Sequence, residues 1–293
     1  MAGGIVLRRT TKLMDGGQET IECKNGADRR SMQRIVLPCG VTLYKADCMD
    51  VIGEIAADAV VADPPFGSTA CHWDQHLDWP ILWPLLWDSL GEDGVIALHS
   101  AHPFTHPLIV SQIQHHKYSW VWQKNLATNF FHAKRQPLRA HEEINVFYRK
   151  CGRYYPQMSE GHKPTQSAKG SSVGQLWHGT NKRDYKGGVT TRQPQTVLPP
   201  FPVVDPKCRI HPSQKPVDLL EYLVRTYTRE GETVLDFSMG SGTTAIACLR
   251  SRRKFIGIER DAEIFNTAKE RIISWQNDPD QATASEKRGG HDR

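Results

Sequence analysis

Residues 232–259 constrain the fold more than any other stretch of the chain. An apolar run ends at Asp236, and a Gly-x-Gly turn follows at Gly240 and Gly242. A helix opening and a second apolar run come next, and that run ends at Glu259, 19 residues beyond Gly240. A strand, a glycine turn, a helix and a second strand in this order predict a βαβ unit, and hence a parallel sheet covered by helices.

The glycine turn predicts a nucleoside-binding site. Glycine lets the backbone approach a ligand closely, and the N–H groups at the helix start can receive a carboxylate. Glu259 is placed to bond two ribose hydroxyls. No lysine follows the turn and the third glycine of the dinucleotide motif is missing, which disfavours phosphate binding and a nucleotide-dependent oxidoreductase. S-adenosylmethionine, a nucleoside without phosphates, fits better, and an ordinary βαβ turn without a ligand stays an alternative.

A second motif, Asp63-Pro64-Pro65-Phe66, follows the short apolar run 58–62. The two prolines fix the backbone, so the Asp63 carboxylate and the Pro64 carbonyl are held at defined angles beside an aromatic ring. Two acceptors and a flat ring suit a planar group that carries an NH2, such as an aminopurine or aminopyrimidine base. The alternative is an ordinary exit from a strand.

Together the two motifs resemble the DNA amino-methyltransferases that modify the 6-amino group of adenine or the 4-amino group of cytosine. The order, with Asp-Pro-Pro-Phe first and the glycine loop near the C-terminus, is similar to the circularly permuted β group of that family, and the resemblance covers roughly residues 41–272. It implies a Rossmann-like S-adenosylmethionine-dependent fold, with a mostly parallel twisted sheet, helices on both faces and a loop-rich target-recognition insertion. It also implies that the target base is flipped out of the duplex.

The resemblance also indicates the target base. An acid before Pro-Pro is typical of the adenine enzymes and Ser of the cytosine enzymes, so Asp63 favours adenine. Phe66 stands where Tyr is commoner, and it keeps the stacking face without the hydroxyl. A cytosine-N4 enzyme of the same fold and a catalytically silent DNA-binding relative stay open as alternatives.

The resemblance assigns three groups of site residues. The catalytic group is Asp63, Pro64, Pro65 and Phe66. The cofactor-binding group is Asp47, Asp63, Ser213, Gln214, Lys215, Asp236, Phe237, Ser238, Gly240, Ser241, Gly242, Thr243, Thr244 and Glu259. The DNA-binding group is Lys124, Asn125, Lys134, Arg135, Arg139, Lys163, Lys169, Lys182, Arg183 and Lys186. For Asp47 a helix-capping role is an equal alternative, and for Lys215 a contact with the DNA backbone.

Positive charge is concentrated in residues 150–215. This stretch carries eleven Lys or Arg against three acids, whereas the net charge of the whole chain is only +5. Tyr154, Tyr155, Trp177 and Tyr185 lie among the basic residues. Cations interleaved with aromatic rings favour a phosphate backbone and exposed bases, so double-stranded DNA is the predicted partner. A homodimer and a restriction endonuclease partner stay open.

The domain organisation follows from these assignments. We expect an N-terminal arm or disordered lead, a catalytic half, a basic target-recognition insertion, a cofactor-binding half and a disordered tail. Their predicted ranges are 1–34, 35–150, 151–210, 211–275 and 276–293. Within the catalytic half we expect a polar loop after Phe66 that closes over the extruded base.

Composition excludes several other classes of protein. No apolar run has the length of a membrane span, and residues 1–12 lack the apolar core of a signal peptide. The seven cysteines include no Cys-x-x-Cys pair, which favours reduced thiols. The histidines near residues 99–116 have no acid or thiol at a familiar ligand spacing, so no metal site is predicted. We expect a cytoplasmic protein from a bacterial, phage or prophage context.

Overall fold

The computed structural model describes residues 10–14, 18–25, 28–173, 180–185 and 187–278. The strands are β1 (Thr10–Met14), β2 (Gln18–Asn25), β3 (Asp28–Leu37), β4 (Val41–Lys45), β5 (Ala57–Ala62), β6 (Leu90–Ser100), β7 (His116–Thr128), β8 (Arg139–Phe147), β9 (Ala168–Val173), β10 (Thr180–Tyr185), β11 (Thr233–Asp236) and β12 (Lys254–Glu259). The α-helices are α1 (Cys48–Val51), α2 (Trp79–Asp88), α3 (Thr105–Ser111), α4 (Val217–Tyr227), α5 (Thr243–Arg250) and α6 (Ala262–Gln276).

Ten of these strands form one sheet in the order β1-β2-β3-β4-β12-β11-β5-β6-β8-β7. The central strands β4, β12, β11, β5 and β6 run parallel. Most of their buried positions are apolar because helices cover both faces. The carboxyl ends of parallel strands meet at one edge of a sheet, so the residues that follow β4, β5, β11 and β12 lie along the same edge.

The two faces of the sheet carry different helices. One apolar cluster packs α4, α5 and α6 against the sheet, around Leu223, Phe255 and Phe265. The other packs α1, α2 and α3 on the opposite face, around Trp83 and Leu98. This layered arrangement matches the predicted fold class. The tryptophans of α2 belong to the core, as their helical spacing indicates.

The structure differs from the expectation for the N-terminal residues. Within the described part of residues 1–37, β1, β2 and β3 pair antiparallel with one another, and β3 pairs with β4. β3 pairs on the edge of β4, and β2 and β1 follow, so that the backbone groups of these strands find hydrogen-bond partners. The polar sequence has no clear periodicity and therefore did not indicate strands. The predicted tail lies outside the described residues from residue 279 onwards, and α6 extends to Gln276.

Residues 156–195 form a separate compact unit inside the predicted insertion. Its strands β9 and β10 pair antiparallel, which we did not predict from the sequence. Lys163 is exposed, and its carbonyl oxygen accepts a hydrogen bond from Arg192 Nη2. The predicted DNA contacts Lys169, Lys182 and Arg183 lie on these two strands, and Lys186 lies outside the described residues.

In the described part of the chain, no helix is long and apolar enough to cross a membrane.

A buried hydrogen bond joins α4 to β7. Trp120 Nε1 donates to Tyr227 Oη at 2.6 Å, and both side chains are at most 3% exposed. The Tyr118 hydroxyl lies 3.0 Å from the same oxygen. The contact fixes the helix that follows Lys215 against a strand that forms one wall of the cleft described below.

We expect Tyr227→Phe to lower the free energy of unfolding by about 1–3 kcal/mol, because the buried Trp120 N–H would lose its acceptor. Urea denaturation measures this change through its midpoint and slope. Tyr154→Phe is the matched control: Tyr154 is 44% exposed, and we expect a change within about 0.5 kcal/mol. Equal stability of the Tyr227 variant and the parent would contradict this role.

Candidate active site

A cleft of about 840 Å³ opens at the carboxyl edge of the parallel strands. Its wall includes the predicted catalytic residues, the glycine loop after β11 and the segment before α4. The two motifs, far apart in the sequence, therefore face one continuous cavity. Its volume lies in the range typical of cofactor and substrate sites.

Asp63 follows β5 directly and stands at one end of this cleft. Its Oδ2 accepts a hydrogen bond from Lys215 Nζ at 2.6 Å, while Oδ1 is buried and has no hydrogen-bond partner among the described residues. Burial raises the pKa of Asp63 above its usual value, Lys215 acts against that shift, and the Glu142 carboxylate adds to it. One oxygen of this carboxylate thus has hydrogen-bonding capacity that the described residues do not use.

Lys215 belongs to a chain of four alternating charges. Its Nζ lies 3.4 Å from Glu142 Oε2, and Glu142 Oε1 accepts from Lys124 Nζ at 3.1 Å. Burial disfavours the charged forms of Glu142 and Lys215, but the two lysines hold the pKa of Glu142 at about 2, and the two acids hold that of Lys215 above its usual value. The four groups carry no net charge together when Asp63 is ionised.

The DNA-binding prediction for Lys124 is corrected by this arrangement. Its side chain is only 5% exposed and is paired with Glu142 inside the cleft wall, so it is not presented to a phosphate backbone. Lys124 continues the buried face of Trp120 and Trp122 along β7. A buried lysine needs an acidic partner, and Glu142 on β8, opposite Trp122, provides it.

Phe66 lines the same cleft as Asp63 and has one face covered. Its ring stacks on Phe104 with centroids 5.1 Å apart and an angle of 20° between planes, and Trp79 lies 6.0 Å from Phe104. Pro64 and Pro65 also line the cleft. This aromatic packing holds the ring in place, and the rigid dipeptide fixes its distance from Asp63.

The glycine loop is braced by its own acids. Asp236 Oδ1 accepts from Ser238 N at 3.1 Å and Oδ2 from the Thr244 hydroxyl at 2.6 Å, while burial raises the pKa of Asp236 to about 7. Glu259 Oε2 accepts from Gly240 N at 3.1 Å and Oε1 from Asp261 N at 2.9 Å. Both carboxylates therefore shape the loop as well as facing the cleft.

The two glycines of this loop have different constraints. Gly240 and Gly242 have φ values of +49° and +71°, a region that side chains rarely adopt. A Cβ on Gly242 would lie 3.0 Å from Ile272 Cδ1, whereas at Gly240 the nearest atom within range is the Ser238 carbonyl oxygen, at 3.9 Å. Gly242 thus serves close packing of α6, and Gly240 leaves room for a ligand.

Arg271 of α6 is a loop contact that we did not predict. Its Nη1 donates to the Ser241 carbonyl oxygen at 2.9 Å and to Thr243 Oγ1 at 3.0 Å. The Ser241 hydroxyl lies 3.0 Å from the Thr243 hydroxyl. These predicted cofactor residues are accordingly engaged in holding the loop. Phe237 lines the cleft and is 3% exposed.

The segment before α4 also lines the cleft. The Ser213 hydroxyl lies 2.9 Å from His211 Nδ1, and Gln214 Oε1 accepts from Ile210 N at 3.0 Å. Asp47, at the end of β4, lines the cleft and also caps α1 by accepting from Met49 N at 3.0 Å. The capping alternative for Asp47 is thus present in the structure.

The polar loop after Phe66 contacts the cofactor half of the cleft. Asp74 holds it closed on itself by accepting from the N–H groups of residues 67–69 at 2.7–2.9 Å. His72 Nε2 lies 2.9 Å from Asp261 Oδ2, Arg260 donates to Gln75, and the Trp73 ring lies 5.1 Å from the His211 ring. The loop was expected to cover the base; the contacts of His72 and Gln75 lie at the glycine-loop end, and that of Trp73 lies at the segment before α4.

Glu142 Oε2 and three other buried polar atoms of cleft-lining residues have no hydrogen-bond partner among the described residues, and Glu142 Oε2 has its ion pair with Lys215. The other three are Asp63 Oδ1, Ser238 Oγ and His211 Nε2. Buried polar groups are normally satisfied, so unsatisfied ones on residues that line a cavity indicate a polar ligand. The described residues contain no group of three or more His, Cys, Asp or Glu that could hold a metal ion. The arrangement fits an adenosine-type cofactor that carries both polar and apolar parts.

Comparison with known structures gives the fold. The M1.HpyAVI–SAM complex has a TM-score of 0.53 and 22% identity, and the match covers 79% of this chain and 99% of that one. The PvuII DNA methyltransferase (cytosine-N4-specific) has a TM-score of 0.58 and 14% identity, over 84% and 90%. The predicted Rossmann-like methyltransferase fold is confirmed.

Curated relatives agree at the level of sequence. The type II methyltransferase M1.MboII of Moraxella bovis is 24% identical over 259 residues, which span 77% of this chain and 94% of that protein. M2.DpnII of Streptococcus pneumoniae is 44% identical over 62 residues, but these span only 23% of its length. The first relatives by similarity are thus matched over less than a quarter of their own length.

The family model described as DNA methylase, for N6 and N4 enzymes, matches residues 57–270. That range contains both motifs and most of the chain. The chain therefore belongs to the N6/N4 DNA methylase family.

Proposed function

We propose that this protein transfers a methyl group from S-adenosylmethionine to the 6-amino group of adenine in double-stranded DNA, after the base has been flipped out. The observation that carries the proposal is the unpartnered Asp63 Oδ1, on a side chain that lines the same cleft as Phe66 and the glycine loop. An acceptor and an aromatic ring in one cleft suit an amino group on a flat ring. The acid before Pro-Pro supports adenine over cytosine.

The glycine-loop end would hold the cofactor. Glu259 would bond the ribose hydroxyls, Gly240 would allow close approach, and Ser238 Oγ would contribute a hydrogen bond. When bound, S-adenosylmethionine supplies a methyl group activated by its sulfonium charge. The loop needs little reorganisation for binding, because its acids already fix it.

The Asp63 end would hold the target amine. An exocyclic amine is a weak nucleophile because its lone pair is delocalised into the ring. By accepting one N–H at Oδ1, Asp63 favours a pyramidal nitrogen and stabilises the positive charge that grows on it. Lys215 holds Oδ2, so the free oxygen keeps one orientation. The methylated amine then loses a proton to Oδ1, which the raised pKa of Asp63 assists.

Phe66 would stack on the flipped base. Phe104 supports the ring from behind, so the base meets a fixed aromatic face. Stacking of this kind contributes about 1–3 kcal/mol per base, which offsets part of the cost of removing the base from the duplex. The basic residues of the 156–195 unit, with the exposed Lys134 and Arg135, would bind the DNA backbone.

Expression of the protein in a host that lacks DNA methylation should produce N6-methyladenine in the host DNA, which nucleoside mass spectrometry detects. We expect Asp63→Asn to lower kcat by about 10²–10³-fold with unchanged S-adenosylmethionine affinity, because the charge that stabilises the transition state is lost. Asp88→Asn, at an exposed position on α2, is the control and should keep full activity.

Detection of N4-methylcytosine instead would assign the cytosine alternative. Absence of both products, with intact cofactor binding, would contradict methyl transfer altogether. An Asp63→Asn variant as active as the parent would remove Asp63 from the mechanism.

Glu142→Gln should shift the acid limb of the pH–kcat profile to lower pH. Asp63 must be ionised to accept the amine hydrogen, so activity falls as the pH drops through its pKa. The Glu142 charge raises the pKa of Asp63, so removal of that charge lowers the pKa. Lys215 then has Asp63 as its only anionic partner among these groups. Glu143→Gln is the control, because the Glu143 carboxylate pairs with His102 and is not among the charges that shift the pKa of Asp63. A shift in the control, or an acid limb moved upwards in Glu142→Gln, would contradict the coupling.

Glu259→Gln should weaken S-adenosylmethionine binding at least about tenfold, because an amide keeps one acceptor oxygen where the carboxylate has two. Titration calorimetry measures Kd directly, without turnover. Glu263→Gln, at an exposed position in the first turn of α6, should bind as the parent does. Unchanged affinity in the Glu259 variant would place the ribose contact elsewhere.

A further inference from the structure

The hairpin between β7 and β8 carries two aromatic rings that the protein itself leaves uncovered. Phe131 is 103% exposed and Phe130 is 65% exposed, on a short 3-10 turn that follows Asn129. Asn129 adopts φ +74°, so the chain reverses sharply at this point. Leu126, on β7 of the same hairpin, is 52% exposed. An exposed cluster of large apolar side chains normally marks a contact with another molecule.

The strands of this hairpin are also a wall of the cleft. Thr128 on β7 and Arg139 on β8 both line it, and the two residues pair across the hairpin. The hairpin tip, residues 129–135, therefore begins one residue beyond the cleft lining. A base that enters the cleft would leave its place in the duplex next to this tip.

Charge identifies the partner. Residues 125–141 contain no Asp or Glu, and they contain Lys134, Arg135 and Arg139. Lys134 and Arg135 are exposed on the tip beside Phe131. Apolar side chains in a segment that carries cations and no acid suit a molecule with a phosphate backbone and stacked apolar interiors, which describes duplex DNA.

We propose that the hairpin tip inserts Phe131 into the duplex, where its ring occupies the space vacated by the flipped base. This inference rests on the proposed function, since it requires base flipping. Base pairs are stacked about 3.4 Å apart along a strand, a spacing that one aromatic ring can fill. Apolar side chains that enter a base step in this way keep the duplex open.

Phe66 does not serve this purpose. It lies inside the cleft, and Phe104 covers one of its faces. The flipped base would meet Phe66, while the vacated space stays outside the cleft. The two aromatic contacts are thus made with different parts of the DNA, and they come from separate segments of the chain.

The test uses two synthetic duplexes that contain the sequence methylated in the host, identified by modification-detecting sequencing. In one duplex the target adenine is paired with thymine, and in the other it faces an abasic site. We expect Phe131→Ala to lower kcat/KM about 10–100-fold on the paired duplex, as loss of one stacking contact predicts. On the abasic duplex we expect a loss of less than about threefold, because an unpaired base costs less to extrude.

Two further variants sharpen the comparison. Phe131→Trp keeps a stacking ring and should retain most of the parental kcat/KM on both duplexes. Ile113→Ala removes another exposed apolar side chain, 61% exposed and outside the hairpin, and should change neither rate. With 2-aminopurine at the target position, the fluorescence rise on binding should be smaller for Phe131→Ala than for the parent.

The outcomes separate this inference from the proposed function. Equal losses on the two duplexes, or no loss on either, would overturn the insertion of Phe131 while the parent remains a methyltransferase. In another outcome, the DNA-free Phe131→Ala variant differs from the parent in sedimentation while the ratio of its kcat/KM values on the two duplexes equals that of the parent. That result would assign the tip to a contact between two copies of the chain and would also overturn the insertion of Phe131. A parent that methylates neither duplex would overturn both proposals.

Discussion

The 2.6 Å contact between Lys215 Nζ and Asp63 Oδ2 joins two segments that lie 152 residues apart in the chain. One segment leaves β5, and the other leads into α4, so the pair helps to bring the two halves of the permuted domain around one cleft. A buried ion pair is weak grounds for stability, because desolvation cancels much of its attraction. Its value here is positional: it fixes one carboxylate oxygen and leaves the other free. Glu142 and Lys124 extend the same order into β7 and β8.

The opposite end of the cleft is built on a different principle. Asp236 and Glu259 direct their carboxylates at the N–H and hydroxyl groups of the glycine loop, and Arg271 adds donors to it from α6. The loop is therefore held in shape by side chains from β11, β12 and α6. The backbone and the remaining lone pairs are left for a ligand, which lowers the ordering cost of binding.

Much of this architecture could be predicted from the sequence, because the two motifs act through the backbone. Proline at 64 and 65 and glycine at 240 and 242 restrict or permit conformations whatever surrounds them. The apolar runs predicted the central parallel strands for the same local reason. The missed features depend on distant partners: β1–β3 are strands through pairing that begins on the edge of β4, and Lys124 is buried because Glu142 faces it across a hairpin. Residue type alone assigned Lys124 to the surface, although its phase with Trp120 and Trp122 indicated the interior.

The division of acids between the two ends bears on selectivity for the transition state. A positive charge is present on the sulfonium before transfer and on the amine afterwards, so an acid equally close to both would stabilise both states and gain little rate. In the described cleft, both oxygens of Asp236 and of Glu259 already accept hydrogen bonds from the loop and its flanks. Asp63 Oδ1 has no such donor. In the proposed reaction, the Asp63 end is where the charge arrives, so an acid with an unused oxygen there would favour the transition state over the bound cofactor.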